Sequence, residues 1–292
     1  MTEFPHSLGP DHTLVAAELA VSLREQARAA LCLCDPGAKV AATQAMAQRL
    51  RHLPIDGAAQ VAPPLSAPPE GSLPGRPALP ELVDPMLVPT RSPFTPEGLA
   101  ALLHAIAHIE FNAINLALDA VWRFDGMPEA FYRDWLRVAD EEATHFGLLC
   151  EHLATLGHRY GDFPAHDGLW SMCVNTQRDI TARMALVPRT LEARGLDATP
   201  LIQARLRRVN TPAALRAVDI LDIILRDEIG HVAIGNHWYG WLCERQGLEP
   251  LAHYRTLARR HAAPRLRPPF NEQARRQAGF TDDEMAYLLT AG

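Results

Sequence analysis

Apolar residues recur every three or four positions along four long stretches of this chain, and that spacing places them on one face of an α-helix. The stretches cover residues 96–124, 129–156, 168–194 and 212–246, here called helices A to D. No alternation with a period of two continues far enough to predict a β-strand. The pattern therefore predicts an all-α protein whose centre consists of four long helices.

Capping residues and helix breakers mark the predicted ends of these helices. Thr95 can cap helix A, and Pro96 suits its first turn because proline lacks the amide hydrogen that would be unpaired there. The string DGMP at 125–128 separates helix A from helix B. Gly195 and Gly247 are predicted to end helices C and D, since glycine readily adopts the left-handed conformation that often follows a helix.

The chain before helix A divides into two predicted segments. Residues 1–53 are expected to form N-terminal helices, over 11–34 and 38–51, that pack on the centre. Residues 54–96 contain twelve of the 24 prolines, which exclude a long helix or a central strand and predict an extended strap. The apolar residues of the strap predict that it lies on the body of the protein: Leu73, Leu79, Leu82, Val83, Met86, Leu87 and Val88.

The four helices make up a predicted central domain over 97–247, followed by a tail, 248–292, with one or two short helices. The tail is rich in arginine and contains only Glu272 as an acid between 255 and 276. This cluster could meet the phosphates of an RNA, or it could be a solvated basic tail that balances an acidic body. Its members are Arg255, Arg259, Arg260, Arg265, Arg267, Arg275 and Arg276.

The pattern Glu-x-x-His occurs on two of the predicted helices, at Glu142 and His145 in helix B and at Glu228 and His231 in helix D. Residues three apart share one face of a helix, and in both helices that face is otherwise apolar and points to the core. A buried carboxylate costs several kcal/mol unless it is paired or binds a metal. Both motifs therefore predict metal ligands.

Helix A, beyond its first turn, and helix C each contain a single Glu, which completes a known ligand pattern. A dimetal carboxylate site in a four-helix bundle takes one Glu from each of two helices and Glu-x-x-His from each of the other two. Carboxylate and imidazole ligands suit two Fe ions, or Mn, better than Zn. The alternative is a set of buried Glu–His ion pairs without metal. The six predicted ligands are Glu110, Glu142, His145, Glu192, Glu228 and His231.

The residue before each Glu-x-x-His motif is also acidic: Glu141 on helix B and Asp227 on helix D. Each side chain points about 100° round the helix from the motif, toward a neighbouring helix. A metal-binding His usually donates its other N–H to a carboxylate. We therefore expect Asp227 to hold His145 and Glu141 to hold His231; the alternative is that both acids are surface charges.

Other residues near the predicted ligands favour structural roles. Pro188 lies one turn before the predicted ligand of helix C and predicts a bend there. Gly235 lies one turn after the ligands of helix D, where a missing side chain leaves room for close packing or for a pocket. His104 and His108 share a face of helix A, and the predicted ligand of that helix lies about 200° round from His108, so packing or surface roles are favoured.

Composition and charge exclude several classes of protein. The net charge of −6 argues against a protein that coats nucleic acid generally. Five cysteines at irregular spacing argue against a disulfide framework. The chain shows neither a basic segment followed by an apolar one at its start nor a run of about 18 apolar residues, so neither a signal peptide nor a membrane span is predicted. A reducing cytoplasm is the expected location.

The chain resembles the ferritin-like di-iron superfamily, and within it a bacterial ferritin-like domain family of unknown function. The resemblance lies in LLHAIAHIEFNAINLALDAVWRF, DEEATHFGLLCEHLATLGHRYGDFPAHDGLW, MALVPRTLEARGLD and ILRDEIGHVAIGNHW. The chain is distantly similar to the tRNA-isopentenyladenosine hydroxylase family, which implies iron and O₂. The ribonucleotide reductase small subunit is a poorer match, because Leu149 stands where that family carries a radical Tyr. The resemblance implies a ferritin-like four-helix bundle and no particular reaction.

These observations predict a non-haem di-iron carboxylate protein, with Mn as the alternative metal, that activates O₂ and oxidises a substrate. One alternative is an iron-binding, ferroxidase or metal-stabilised scaffold protein; another is a tRNA-modifying hydroxylase that uses the arginine cluster. The substrate, a small molecule or a modified base, and the electron donor are not identified. We expect a monomer or homodimer with no membrane partner.

Overall fold

The computed structural model describes residues 23–51 and 72–290. Within these residues the secondary structure is helical, and an isolated parallel β-bridge between Leu82 and Ala165 is its only extended pairing. The all-α prediction is therefore confirmed. The more specific expectation of a ferritin-like bundle stays a prediction.

We number the helices in chain order. They are α1 (residues 23–32), α2 (Pro36–Leu50), α3 (Pro96–Arg123), α4 (Glu129–Thr155), α5 (Gly168–Asn175), α6 (Ile180–Leu186), α7 (Ala193–Val209), α8 (Pro212–Gln246), α9 (Pro250–Arg260), α10 (Glu272–Gln277) and α11 (Asp282–Thr290). A π-helical segment, Val187–Glu192, joins α6 to α7, and a short 3₁₀ turn covers Pro85–Leu87. Helices A, B and D of the sequence analysis correspond to α3, α4 and α8.

The described residues divide into two compact units. The first contains the described part of the chain up to Arg76, together with Ala117–Asp140. The second contains Pro77–Leu116 and the described part of the chain from Glu141 onward. All of the predicted ligands lie in the second unit. The division into four segments that the sequence indicates stays a prediction.

In the first unit, the only lysine of the chain is buried and ties three segments together. Asp35 starts α2 by accepting a hydrogen bond from the amide of Ala38 at 2.7 Å, with Pro36 in the first turn. One turn later Lys39 donates from Nζ to the carbonyl oxygens of Leu31 at 3.0 Å and Gly75 at 2.9 Å. Burial lowers the pKa of Lys39 to about 7.

In the second unit, α8 packs against α6, the π-helical segment and α7, and its far end contacts α9 and α10. The end of α8 agrees with the prediction: Gly247 has a φ of +66° and its amide donates to the carbonyl of Glu244. Thr211 caps the start of α8, where its hydroxyl accepts from the amide of Ala214.

Helix C was predicted as one helix from 168 to 194, and this prediction is wrong. The helix stops at Asn175 and restarts at Ile180, where the Asp179 side chain accepts from the amide of Ala182 at 2.9 Å. Asp179 thus acts as a helix cap in the interior of the predicted helix.

Gly195 does not end this helix either. The chain continues through α7 to Val209, and Asn210, with a φ of +53°, adopts the left-handed terminating conformation instead. Ala193 and Leu196 on either side of Gly195 are fully buried, so packing keeps that glycine helical despite its low intrinsic propensity.

The strap also differs from its prediction, within its described residues from 72 onward. Its apolar side chains were expected to lie on the body, yet Met86 is 90% and Leu87 70% exposed, and Leu79 and Leu82 are exposed as well. The backbone supplies the attachment instead: the amide of Val83 donates to the carbonyl of Ala165, whose own amide donates to the carbonyl of Glu81.

The tail contains three helices, α9 to α11, where one or two were predicted. Its apolar residues join those of α7 and α8 in one buried cluster: Ala193, Leu196, Val232, Ala274, Ala278, Phe280, Met285 and Leu288. This burial also changes the arginine cluster. Arg275 is fully buried and pairs with Asp197 at 2.6 Å, and Arg276 pairs with Asp282.

Among the described helices, α3 alone is long and apolar enough to cross a membrane. Within its most apolar 18-residue window, 78% is buried inside the protein, which is typical of a core helix in a soluble protein. A cytoplasmic location stays a prediction.

Replacing Lys39 with Met should change how stability depends on pH. The unfolded lysine binds a proton up to pH ~10.5 whereas the folded one loses it above about 7, so the unfolding free energy of the natural chain should rise with pH in that window. Relative to Lys39→Met, the expected rise is roughly 1 kcal/mol per pH unit. Urea denaturation of both proteins at pH 7, 8 and 9 measures it; two curves that stay parallel would contradict the prediction.

Candidate metal centre

Three helices, α3, α4 and α8, bring buried acids and histidines of the second unit together. Their side chains form two groups of three, in each of which one possible ligand atom per residue lies within 4.8 Å of the others. The first group is Glu110, Glu142 and His145; the second is Glu142, Glu228 and His231. Each of these residues is buried. Such groups could hold metal ions.

Glu142 belongs to both groups and directs one oxygen to each. Its Oε2 lies 3.4 Å from Nδ1 of His145, which is also 3.2 Å from Oε2 of Glu110. Its Oε1 lies 2.9 Å from Nδ1 of His231, which is 3.6 Å from Oε1 of Glu228. Glu142 could therefore serve as a ligand in either group.

Several buried polar atoms at this centre have no hydrogen-bond partner. They include Oε1 of Glu142, Oε2 of Glu228, Nδ1 of His231 and both carboxylate oxygens of Glu192. Nδ1 of His231 is within 2.9 Å of Oε1 of Glu142 but is not aligned for a hydrogen bond. Since a buried polar atom without a partner costs about 1–3 kcal/mol, a bound cation is the simplest way to satisfy this set. The residues present therefore fit a metal site.

Glu192 is the predicted ligand that the structure leaves outside both groups. It stands at the last position of the π-helical segment and is buried. Burial raises its pKa well above the usual range, and the charges of Glu228 and Glu142 raise it further. Glu192 is therefore close enough to feel the other acids, although its oxygens do not join them in a group of three.

Protonation states show how the side chains compensate one another. Burial, with the charge of Glu142, raises the pKa of Glu110 to about 8. Burial alone would lower the pKa of His145, but hydrogen bonds to Glu110 and Glu142 outweigh burial and raise it to about 11. Burial and Glu228 alone would raise the pKa of Glu142, but the histidines outweigh them and lower it. Protons bound to Glu110 and His145 thus compensate carboxylate charge that bound cations would otherwise neutralise.

The two outer acids contact the histidines in the pairing expected from the sequence. Nε2 of His145 donates to Oδ2 of Asp227 at 3.1 Å, and Nε2 of His231 donates to Oε2 of Glu141 at 2.7 Å. With each Nε2 engaged by an outer acid, each Nδ1 faces the acid cluster. Asp227 also accepts from Arg226, and these partners lower its pKa against the effect of burial.

The π-helical segment sets the position of Glu192, as the bend predicted at Pro188 suggested. A π segment contains one extra residue in a turn, and such segments often occur at functional sites. The hydroxyl of Thr190 donates to the carbonyl of Ala185 at 2.8 Å, which satisfies one of the backbone groups in this distorted turn. A Cβ atom on Gly235 would lie 2.5 Å from Cβ of Pro188. The missing side chain of Gly235 therefore allows the π segment to pack closely against α8, and the space is filled by Pro188.

Sequence reasoning missed Arg189, which locks the π segment to the tail. Its guanidinium donates to Oδ1 of Asn236 at 2.8 Å and to the carboxylate of Glu284 on α11. It also lies over the ring of Phe280 at 4.9 Å, within the range of a cation–π interaction. The only sign of this role in the sequence is an arginine one residue after Pro188 on a helix predicted to face the core. The partner could not be identified from the sequence, because Glu284 is 95 residues away.

The family described as "Protein of unknown function (DUF455)" matches residues 32–286. An uncharacterized protein of Haemophilus influenzae (strain ATCC 51907 / DSM 11121 / KW20 / Rd) is 54% identical over 227 residues, which cover 75% of this chain and 78% of the relative. No solved structure matches this chain. The resemblance to a family of unknown function is confirmed, and the comparisons assign no metal and no reaction.

Breaking the Arg189–Glu284 pair should destabilise the fold. Arg189→Met leaves Glu284 as a buried carboxylate without its partner and should lower the unfolding free energy by roughly 3 kcal/mol. Adding Glu284→Gln removes the charge but keeps an acceptor for the Thr281 amide, so the double variant should recover part of the loss. Arg159→Met, at an exposed ion pair, is the control and should cost less than about 1 kcal/mol. Chemical denaturation of the natural chain and the three variants measures these losses. Equal losses of unfolding free energy for Arg189→Met and the control would contradict a stabilising role of the Arg189–Glu284 pair.

Proposed function

We propose that this chain, which belongs to the DUF455 family of proteins of unknown function, is a non-haem dimetal carboxylate protein with a ferritin-like four-helix bundle. The bundle would consist of α3, α4, the α6–π–α7 segment and α8. Iron is the proposed metal and Mn the alternative, because carboxylates and imidazoles are the donors at the centre and no cysteine is among them.

The observation that carries the proposal is the position of Glu142. One buried carboxylate contacts two histidines, each of which is held from behind by a second acid. Ion pairs alone would not need a shared carboxylate with one oxygen toward each histidine, nor would they leave Nδ1 of His231 without an aligned acceptor. Two cations, each held in part by Glu142, would account for both features.

We assign the ligands by group. Glu110, Glu142 and His145 would hold one ion, and Glu142, Glu228 and His231 the other. Glu192 is the sixth ligand, because its two buried oxygens are without partners and feel the charge of Glu228 and Glu142. Four carboxylates balance two divalent cations, which leaves little net charge in the buried site.

Each side chain has a defined task in this site. Asp227 and Glu141 keep the Nε2 protons of the two histidines in place, so that neutral imidazoles present Nδ1 to the ions. Buried neighbours such as Ile106, Ala113 and Phe146 keep water away from the charged groups. When bound, two ferrous ions would supply the electrons that reduce O₂, and the resulting oxidising equivalents would be used on a substrate.

We favour an O₂-activating oxidoreductase over an iron store. The tail covers surfaces of α7 and α8, so these faces are not free for a cage-like assembly. A monomer or homodimer, a cytoplasmic location and the absence of a membrane partner remain part of the proposal. The tRNA-hydroxylase alternative rests on a smaller cluster than the sequence suggested, since Arg275 is buried; its exposed members are Arg255, Arg259, Arg260, Arg265, Arg267 and Arg276. Salt-sensitive tRNA binding that disappears when these are replaced would favour it.

The metal content of purified variants tests the ligand assignment. Protein produced with ample iron and manganese should contain about two of these ions per chain. Glu142→Ala should lose both ions because Glu142 serves both groups, whereas Glu110→Ala should lose mainly one. Glu151→Gln, an exposed acid on the same helix as Glu142, is the matched control and should keep both. Elemental analysis gives the numbers, and a natural chain with neither metal would refute the proposal.

Asp227→Asn should weaken metal binding while the fold stays intact. The amide cannot hold His145 as the carboxylate does, and such changes typically reduce metal affinity by about 10–100-fold. Asp219→Asn, at an exposed position of the same helix, should leave the affinity unchanged. Metal titration against a competing chelator measures both, with circular dichroism as the check on folding. An unchanged affinity in Asp227→Asn would show that the acid has no such role.

A further inference from the structure

A buried hydrogen bond connects the tail to the π-helical segment that carries Glu192. The hydroxyl oxygen of Tyr254 on α9 lies 3.0 Å from Oγ1 of Thr190, within that segment. Both side chains are buried. The bond joins residues 64 positions apart in the chain, and it ends only two residues before a proposed metal ligand.

The direction of this bond follows from the second partner of Thr190. Its Oγ1 also lies 2.8 Å from the carbonyl oxygen of Ala185, which can only accept. Since the Thr190 hydroxyl has one hydrogen, Thr190 donates to Ala185, and Tyr254 is the donor to Thr190. Two hydrogen bonds thus run in series from the phenol of α9 to the backbone of α6, and in such a series each bond polarises and strengthens the next.

The backbone around Thr190 departs from a regular α-helix. Pro188 has no amide hydrogen, so the carbonyl of Met184 lacks the donor that a regular helix would give it. The amide of Ala193 donates to the carbonyl of Pro188, five residues earlier, which is the spacing of a π turn. The Thr190 hydroxyl reaches Ala185 across the same five-residue spacing. Its side chain therefore reinforces the π register of the backbone.

The π register decides where the Glu192 side chain points. A π turn contains one residue more than a regular turn, and one residue corresponds to about 100° of rotation round a helix. Glu192 is the last residue of the segment, and it is buried with both carboxylate oxygens lacking a hydrogen-bond partner. In a regular helix the same side chain would point about 100° away from its present direction.

We propose that Tyr254 is a positioning residue for the metal ligand Glu192. It acts through Thr190, because the hydrogen bond to that hydroxyl holds the π register in which Glu192 is directed at the metal centre. Tyr254 itself contacts neither the ions nor their ligands. The inference rests on the proposed function, in which Glu192 is the sixth ligand, and it gives α9 a role in the geometry of that site.

The surroundings of Tyr254 allow the hydroxyl to be removed without the ring. The guanidinium of Arg189 lies 5.5 Å from the ring centroid, and the ring of Tyr287 meets it edge-on at 6.2 Å. Tyr254→Phe keeps both contacts and loses only the hydrogen bond. Tyr132→Phe is the matched control, because that buried hydroxyl donates to the carbonyl of Phe124 at 3.0 Å, in the first unit.

A first experiment measures the affinity of each chain for Fe²⁺ under argon, against a competing chelator, or for Mn²⁺ if that is the ion the natural chain binds. Tyr254→Phe should lower the affinity about 10-fold, the lower end of the range for residues that orient ligands. Thr190→Val should lower it further, whereas Thr190→Ser, which keeps the hydroxyl, and Tyr132→Phe should not. Circular dichroism checks folding, and the two Thr190 variants carry the test if Tyr254→Phe does not fold. An unchanged affinity in Tyr254→Phe, or an equal fall in Tyr132→Phe, would overturn the proposal.

A second experiment separates positioning from a general loss of stability. Tyr254→Phe is combined with Glu192→Gln, and the affinities of the four chains form a double-mutant cycle. If Tyr254 acts through Glu192, its replacement should lower the affinity of the natural chain and have little further effect once Glu192 is replaced. Equal falls in both backgrounds would overturn the proposal.

Amide hydrogen exchange of the metal-free chains gives a readout that does not depend on ions. Residues 187–192 should exchange faster in Tyr254→Phe than in the natural chain, while residues 96–123 of α3 exchange as before. Unchanged exchange in 187–192 would overturn this inference alone. A natural chain that binds neither Fe²⁺ nor Mn²⁺ would overturn the proposed function, and with it the ligand that Tyr254 is proposed to position.

Discussion

The second unit is organised around the free energy of burying Glu142 among other acids. A carboxylate in a protein interior needs compensating charge or hydrogen bonds, and three of them in two adjoining groups, with Glu192 nearby, need more than neighbouring helices ordinarily supply. Two histidines meet the two oxygens of Glu142, and two outer acids meet those histidines. Either protons or cations must complete the compensation, which is why the architecture and the proposed chemistry cannot be separated.

The helix that carries Glu192 shows what this constraint demands of the backbone. A regular helix from α6 to α7 would turn that position differently, and the extra residue of the π segment changes the direction of its side chain. The distortion persists because the rest of the unit holds it: Gly235 makes room for Pro188, and Arg189 joins the segment to Glu284 in the tail. The tail thus supports the centre from a distance in sequence that no local pattern reports.

The proposed metal site and the loop that carries Tyr160 contact the same two helices. On α3, Glu110 faces the acids while His108 faces that loop; on α4, His145 faces the acids while Phe146 contacts Tyr160. Neighbouring residues on a helix point about 100° apart, so a single pair of helices can supply ligands on one face and packing contacts on the next.

Local patterns in the sequence determined the helical class, the bounds of α3, α4 and α8, and the Glu-x-x-His faces, because helix periodicity and capping act over a few residues. The pairing of Asp227 with His145 also followed, since the angle between adjacent helical residues is known in advance. The tertiary structure decided the break at Asn175, the π segment, the exposure of Met86 and the burial of Arg275. The π segment and Arg275 depend on partners far away in the chain, Gly235 and Asp197, and packing against them overrides the local preference that the sequence displays.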